Sequence, residues 1–175
     1  MILKLKRTPG IFLVGFMGCG KSVVGGKLAE RLGWAFADID SDIERDRNTT
    51  INDIFDSLGE EEFRKIESDA IRKRVHVIQS GHPIVVALGG GAFGQPRNWE
   101  VVENNGVSIW LDCPLSLIHQ RLDGCTHRPL ARDKHKFDLL YYARRETYAR
   151  ADYQVEVAGN DADLVVEAVL SLPLF

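Results

Sequence analysis

Apolar residues recur along this chain in two rhythms. Unbroken runs at 11–14, 83–88 and 107–111, with shorter apolar stretches at 34–38 and 153–157, have the length and composition of buried strands. Between them the spacing is helical. Val23, Val24, Leu28, Ala29 and Leu32 recur on one face after the first run, and Gly33 stands where a C-terminal cap belongs. Residues 41–47 read as a helix or turn. Thr50, with Asp53 three residues on, marks a helix start; that helix runs to about residue 58 and stops at Gly59. Phe63, Ile66, Ala70, Ile71 and Val75 form the stripe of a longer, charged helix over 60–78. Further helices are predicted at 96–103, 114–122, 137–150 and 162–172. Residues 123–136 have no apolar period and are basic, which reads as a mobile loop or lid.

Strands alternating with helices predict an α/β fold, with a parallel sheet, right-handed crossovers and helices on both faces. In such folds ligands bind beyond the carboxyl ends of the strands. The chain shows no internal repeat, low-complexity tract or linker, so its 175 residues are expected to form one domain with a sizeable core.

Composition changes this picture only at the margins. Hydrophobic content of 45% and charged content of 27% are ordinary for a globular protein. A net charge of −3 gives no global attraction to nucleic acid. An anionic ligand must therefore be held by local cations, for which Lys21, Arg64, Arg121, Arg128 and Arg144 are available. Cys19, Cys113 and Cys125 lack metal-type spacing and read as free thiols in a reducing cytoplasm. No stretch approaches the roughly 18 apolar residues of a membrane span. The mildly basic first ten residues lead into a short apolar run that reads as the first strand, not as a signal peptide.

The densest chemical signal follows that first run. Gly15 to Ser22, GFMGCGKS, fits G-x-x-x-x-G-K-[ST] between a strand and a helix, the setting a phosphate-binding loop requires. Glycines let backbone N–H groups converge on a phosphate, and the helix that starts near Lys21 adds its positive end. Lys21 can bridge the β- and γ-phosphates, and the Ser22 hydroxyl can ligate Mg²⁺. Asp38 and Asp40 are two apart, which on an extended chain puts both carboxylates on one face. One could serve magnesium and the other a substrate hydroxyl; the alternative is a solvated helix N-terminus. Arg64 sits near the buried side of its helix, where it needs an anion; from spacing alone an ion pair with Glu60, Glu61 or Glu67 is the readier source. Gly89, Gly90 and Gly91 after a buried strand let backbone approach a ligand, or make a tight turn. Arg144 or Arg145, about one helical turn before Tyr148, could face the site. Cys19, beside helix-terminal N–H groups, is expected to be the most reactive thiol and to be shielded by ATP, or else to be a small filler.

Taken together these segments resemble the shikimate kinase family. The matching signatures are GFMGCGKS, FADIDSDIE, GEEEFRKIE, LGGGA, THRPLA and RRETYARAD, in that order along nearly the whole chain. The resemblance implies ATP-dependent phosphorylation of the 3-hydroxyl of shikimate, on the route to aromatic amino acids. It implies a P-loop kinase fold with a five-stranded parallel sheet in the order 2-3-1-4-5, a substrate-binding helical segment at about 41–70 and a lid at about 123–136. It also implies a role for each residue. Gly15, Gly18, Cys19, Gly20, Lys21, Ser22 and Val23 would surround the ATP phosphates, with Ser22 and Asp38 serving Mg²⁺. Asp40 would hold the acceptor hydroxyls and act as base, with Lys21 and Arg128 completing the catalytic set. Arg64 and Arg144 would clamp the shikimate carboxylate, and Gly89, Gly90 and Gly91 would lie beside the ring, Gly90 closest. Arg128 would reach the phosphates from the lid, and Arg121 would stack on adenine. The partners implied are ATP and shikimate alone, with neither nucleic acid nor membrane, for a monomeric cytoplasmic enzyme. RRETY stands where the family more usually has R-x-P-L-Y, which leaves the choice between Arg144 and Arg145 open.

Overall fold

The computed structural model describes residues 10–123 and 133–174. Its centre is β1, Gly10–Val14, whose five residues are all buried. A strand this apolar can only sit between neighbours on both edges and helices on both faces. β1 pairs in parallel with β3, Ile84–Ala87, and with β4, Gly106–Asp112, Phe12 standing opposite Val86 on one side and Ser108 on the other. β2, Ala35–Asp38, adds to β3, and β5, Tyr153–Glu156, adds to β4. The sheet therefore runs β2-β3-β1-β4-β5, all parallel, the expected order.

The helices are α1, Lys21–Leu32; α2, Ile39–Arg47; α3, Ile51–Gln79; α4, Pro96–Asn105; α5, Leu115–Leu122; α6, Lys134–Tyr148; and α7, Ala162–Leu170. α1 and α7 pack together on one face of the sheet, and α3 with α4 on the other. α1 turns Val24, Leu28 and Ala29 inward, as its period predicts. Val24 and Leu28 each contribute about 1.5–3 kcal/mol on burial. Gly33 caps α1 in the left-handed conformation, φ 66°, and Thr50 caps α3 by accepting from the Asp53 N–H at 3.1 Å.

The structure departs from the sequence reading in three places that matter for the site. α2 begins at Ile39, directly after β2, with Asp38 as its N-cap accepting from the Ser41 N–H at 3.1 Å. Asp38 and Asp40 therefore do not lie on one extended strand, and the same-face argument for them fails; a turn of helix places them instead. The two helices expected at 50–58 and 60–78 are limbs of one element, α3, bent at Gly59, where φ 81° and ψ 170° break the helical path. Residues 134–136, read as loop, form the first turn of α6, because Asp133 caps it by accepting from the Lys136 N–H at 3.1 Å. The rest of the expected lid, including Arg128, His127, Arg132 and Cys125, lies outside the described residues apart from Asp123 and Asp133.

Strand order decides where a ligand can go. β1 is followed by a helix on one face and β3 leads to α4 on the other, so a crevice opens beyond their carboxyl ends. Gly15 to Gly20 follow β1 and Gly89 to Gly91 follow β3.

Candidate active site

Residues 15–20 form a loop that no ordinary side chains could trace. Gly15, Gly18 and Gly20 have φ of 148°, 81° and 96°, in the left-handed half of backbone space. The loop closes on itself where the Cys19 N–H donates to Phe16 O at 3.2 Å. Gly20 is the N-cap of α1 and brings no side-chain acceptor to its first turn. The N–H groups of that turn are thus offered to an anion, backed by the helix dipole. Lys21 bends back over the loop, its Nζ donating to Gly15 O at 2.8 Å and Phe16 O at 3.0 Å. Gly15 lies behind this loop and not in the cavity wall; a Cβ there would meet Leu111 O at 2.8 Å.

The loop is one wall of a cavity of about 950 Å³, at the upper end of the range for single-ligand sites. Its other walls come from the ends of β2 and β3, from α3, and from α6. The Ser22 hydroxyl hydrogen-bonds Asp38 Oδ2, so helix α1 and strand β2 meet through a hydroxyl and a carboxylate. Gly18, Cys19, Gly20 and Val23 line this end; Cys19 is only 1% exposed, whereas Val23 is 58% exposed at the mouth. Arg121 on α5 stitches two loops here: Nη1 donates to Gly18 O at 2.9 Å, Nη2 to Gly159 O at 2.8 Å and Nε to Asn160 Oδ1 at 2.9 Å.

At the far end Asp40, Arg64 and Arg144 surround the glycine run. A Cβ at Gly89 would lie 2.9 Å from Asp40 Oδ1 and 2.7 Å from Glu67 Oε1. One at Gly90 would lie 3.1 Å from Arg144 Nη1, and one at Gly91 would collide with the Arg64 guanidinium. The run is glycine because four charged side chains, Asp40, Glu67, Arg64 and Arg144, close over it. Arg64 is held from behind by Glu67 at 2.8 Å and more loosely by Glu60 at 3.4 Å. It faces the cavity and makes ion pairs at once, so the two readings of Arg64 do not compete. Its Nε is buried and has no hydrogen-bond partner among the described residues, a cost that an anion at this position would remove.

Compared with known proteins, the chain matches the shikimate kinase family model over residues 17–172. It is 38% identical over 161 residues to a shikimate kinase of Persephonella marina, covering 91% of this chain and 96% of that one. It is 39% identical over 178 residues to a shikimate kinase of Synechococcus sp. strain CC9902, covering 98% and 91%. The chain belongs to the shikimate kinase family. A solved structure, the shikimate kinase of Acinetobacter baumannii in complex with shikimate, superposes with a TM-score of 0.88 at 35% identity over 97% of this chain and 94% of that one.

As a shikimate kinase fold, the molecule separates the two arginines that the sequence left open. Arg144 lines the cavity and lies over the Phe16 ring, 5.8 Å from its centroid. Arg145 points away and pairs with Asp112 at 2.5 and 2.9 Å, with its guanidinium over Trp110 at 4.8 Å. Asp112 therefore fixes which of the two neighbours is available.

Sequence reasoning passed over three site groups. Glu67 is 1% exposed and lines the cavity. Burial pushes its carboxyl up, Arg64 pulls it back, and Asp40 adds to the rise. Its signal was readable: it stands beside Ile66 on the apolar stripe, where a solvated Glu does not belong. Tyr148 and Asn160 carried no such signal, since nothing in the sequence shows that Tyr148 reaches the glycine run or that Asn160 meets Arg121.

Proposed function

We propose that this protein transfers the terminal phosphoryl group of ATP to the 3-hydroxyl of shikimate. The observation that carries the reading is the two-ended cavity. A phosphate loop forms one end; Asp40 and two guanidiniums set around Gly89, Gly90 and Gly91 form the other. A hydroxy acid needs such an arrangement, with forked cations for its carboxylate and an acceptor for its hydroxyl.

The chain's own groups divide the work as follows. Backbone N–H groups of the loop and α1 cradle the phosphates, and Lys21 swings from the loop carbonyls to the β- and γ-phosphates. Arg64 and Arg144 orient the acceptor by its carboxylate, so that the 3-hydroxyl approaches Asp40. Asp40 accepts the hydroxyl proton as the new O–P bond forms and the bond to the ADP oxygen breaks. Arg128, outside the described residues, is the lid cation of this reading. Arg121 shapes the nucleotide end. Residues 41–70 supply the acceptor-binding segment, and the lid of this reading falls at about 123–136, most of it outside the described residues.

Magnesium fits the donor set. Ser22 and Asp38 present oxygen atoms side by side at the phosphate end, as a hard cation requires. Among the described residues no group of three or more His, Cys, Asp or Glu side chains could hold a metal by itself. Held by Ser22 and Asp38, magnesium would offset the negative charge of the phosphates. The reading includes a monomer acting in the cytoplasm; among the described residues no helix is long and apolar enough to cross a membrane.

The test is ADP release, by a coupled assay, with shikimate, gluconate and AMP as acceptors. Turnover with shikimate alone is expected. Turnover with gluconate instead would move the acceptor to another polyhydroxy acid, and saturable shikimate binding without turnover would make the protein a ligand-binding module.

A further inference from the structure

Tyr148 closes α6 just behind the site. It is 2% exposed and lies outside the cavity wall, yet its Oη donates to Gly90 O at 2.5 Å, across 58 residues of sequence. A phenol has one proton to donate and lone pairs left to accept. The neighbouring cation is Arg144: a Cβ at Gly90 would lie 3.1 Å from Arg144 Nη1 and 3.8 Å from Tyr148 Oη, so the two side chains converge on the same glycine. One buried hydroxyl thus holds the backbone of the glycine run, and the arginine four residues before it on α6 lies against the same glycine.

Two geometric consequences follow. Across a trans peptide, C=O and the next N–H point to opposite sides. Holding Gly90 O back toward buried Tyr148 therefore turns the Gly91 N–H outward, to the cavity that Gly91 lines beside the Arg64 guanidinium. Arg144, meanwhile, has a planar fork with several rotamers open to it. The Tyr148 side chain, fixed by its own bond to Gly90, bounds that fork on one side. Phe16 beneath and Tyr148 beside leave its N–H groups to point into the cavity that Arg144 lines.

We propose that the Tyr148 hydroxyl is a positioning residue for the acid acceptor: it sets the Gly91 N–H and the Arg144 fork to receive the carboxylate, without touching substrate or phosphate itself. The proposal rests on the assignment of a carboxylate-bearing acceptor to this end of the cavity.

The test begins with the wild-type enzyme, whose turnover with shikimate decides that assignment independently. Tyr148→Phe then removes only the oxygen. The expected result is a KM for shikimate raised about tenfold, the factor for one lost hydrogen-bond arrangement. KM for ATP and kcat should stay within about twofold. In a double-mutant cycle with Arg144→Ala, the two losses should fall well short of additive, because the second change finds the fork already gone. An unchanged KM for shikimate, or equal rises in both KM values with a lowered melting temperature, would overturn the proposal in favour of simple packing. A measurement on the intact protein stands beside the variant in case Tyr148→Phe does not fold. With [4-¹³C]tyrosine, the chain gives one Cζ signal for each of its 4 tyrosines. Adding shikimate should shift that of Tyr148, assigned by single Tyr→Phe changes at the others, and ATP alone should leave it in place. A Tyr148 signal indifferent to shikimate refutes the idea.

Discussion

Asp40 and Arg64 stand close to the glycine run at one end of the cavity, and their chemistry predicts different defects. Asp40→Asn keeps size and hydrogen bonding but gives up the capacity to take a proton. It should lower kcat by about 10²–10⁴ while ATP affinity, measured by titration, barely changes. Near-normal turnover would remove Asp40 from the role of base. Arg64→Ala should act chiefly on the Michaelis constant for the acid, since a carboxylate clamp is used alike in ground and transition states. It also strips Glu67 of its main cation inside the protein, so some loss of stability should accompany the kinetic effect. The sequence announced the phosphate loop because its glycines and lysine have few other reasons to occur in that order. It was mute on Tyr148 and Asn160, whose partners lie 58 and 39 residues away. It misjudged the route to Asp38 and Asp40, where a helix begins one residue after the strand.

Among the elements, α3 is the most unusual. Two helical limbs meet at Gly59, and Phe55 on one packs on Phe63 of the other with ring centroids 4.4 Å apart. Both rings line the cavity. A Cβ at Gly59 would meet open space, so only the backbone conformation forbids other residues. Gly59→Ala should therefore cost about 1–3 kcal/mol in denaturant unfolding, through strain alone. α2 is bound to α3 by Asp42, 6% exposed, whose carboxylate takes Arg74 at 2.6 and 2.7 Å. Burial raises the Asp42 carboxyl, but Arg74 and Arg45 outweigh it and leave the group below its ordinary value of 3.8. A depressed folded-state value adds stability above the ordinary value, and that stability is lost as pH falls through the folded-state value. Wild-type stability should thus fall below about pH 4, and Asp42→Asn should both flatten this acid limb and cost about 2 kcal/mol at neutral pH. Thermal melts between pH 3 and 7 check both. Strand existence, order of elements and the Gly59 break were legible from apolar runs and turn residues. The fusion of the two limbs was not, because a glycine reads as an end and not as a bend.

On the scale of the whole molecule, the cavity gathers residues from β-strand ends and helices spread from residue 17 to residue 165. A ligand that bridges these elements binds the folded state alone and stabilises it by mass action. ATP with magnesium at about 100 times its dissociation constant should add about 2.7 kcal/mol, which for a domain of this size raises the melting temperature by roughly 5–10 °C. A nucleotide-independent melt, with binding shown separately, would mean that the loop residues are engaged equally in the unfolded chain.

The position of β1 at the middle of the sheet has a temporal meaning. β1 cannot have both of its edges paired until residues 84–87 and 106–112 have followed it in synthesis. The nucleotide cradle, though encoded within residues 15–22, is framed on both sides only once the chain has been synthesised as far as residue 112, and fragments released before then lack the frame that shapes it.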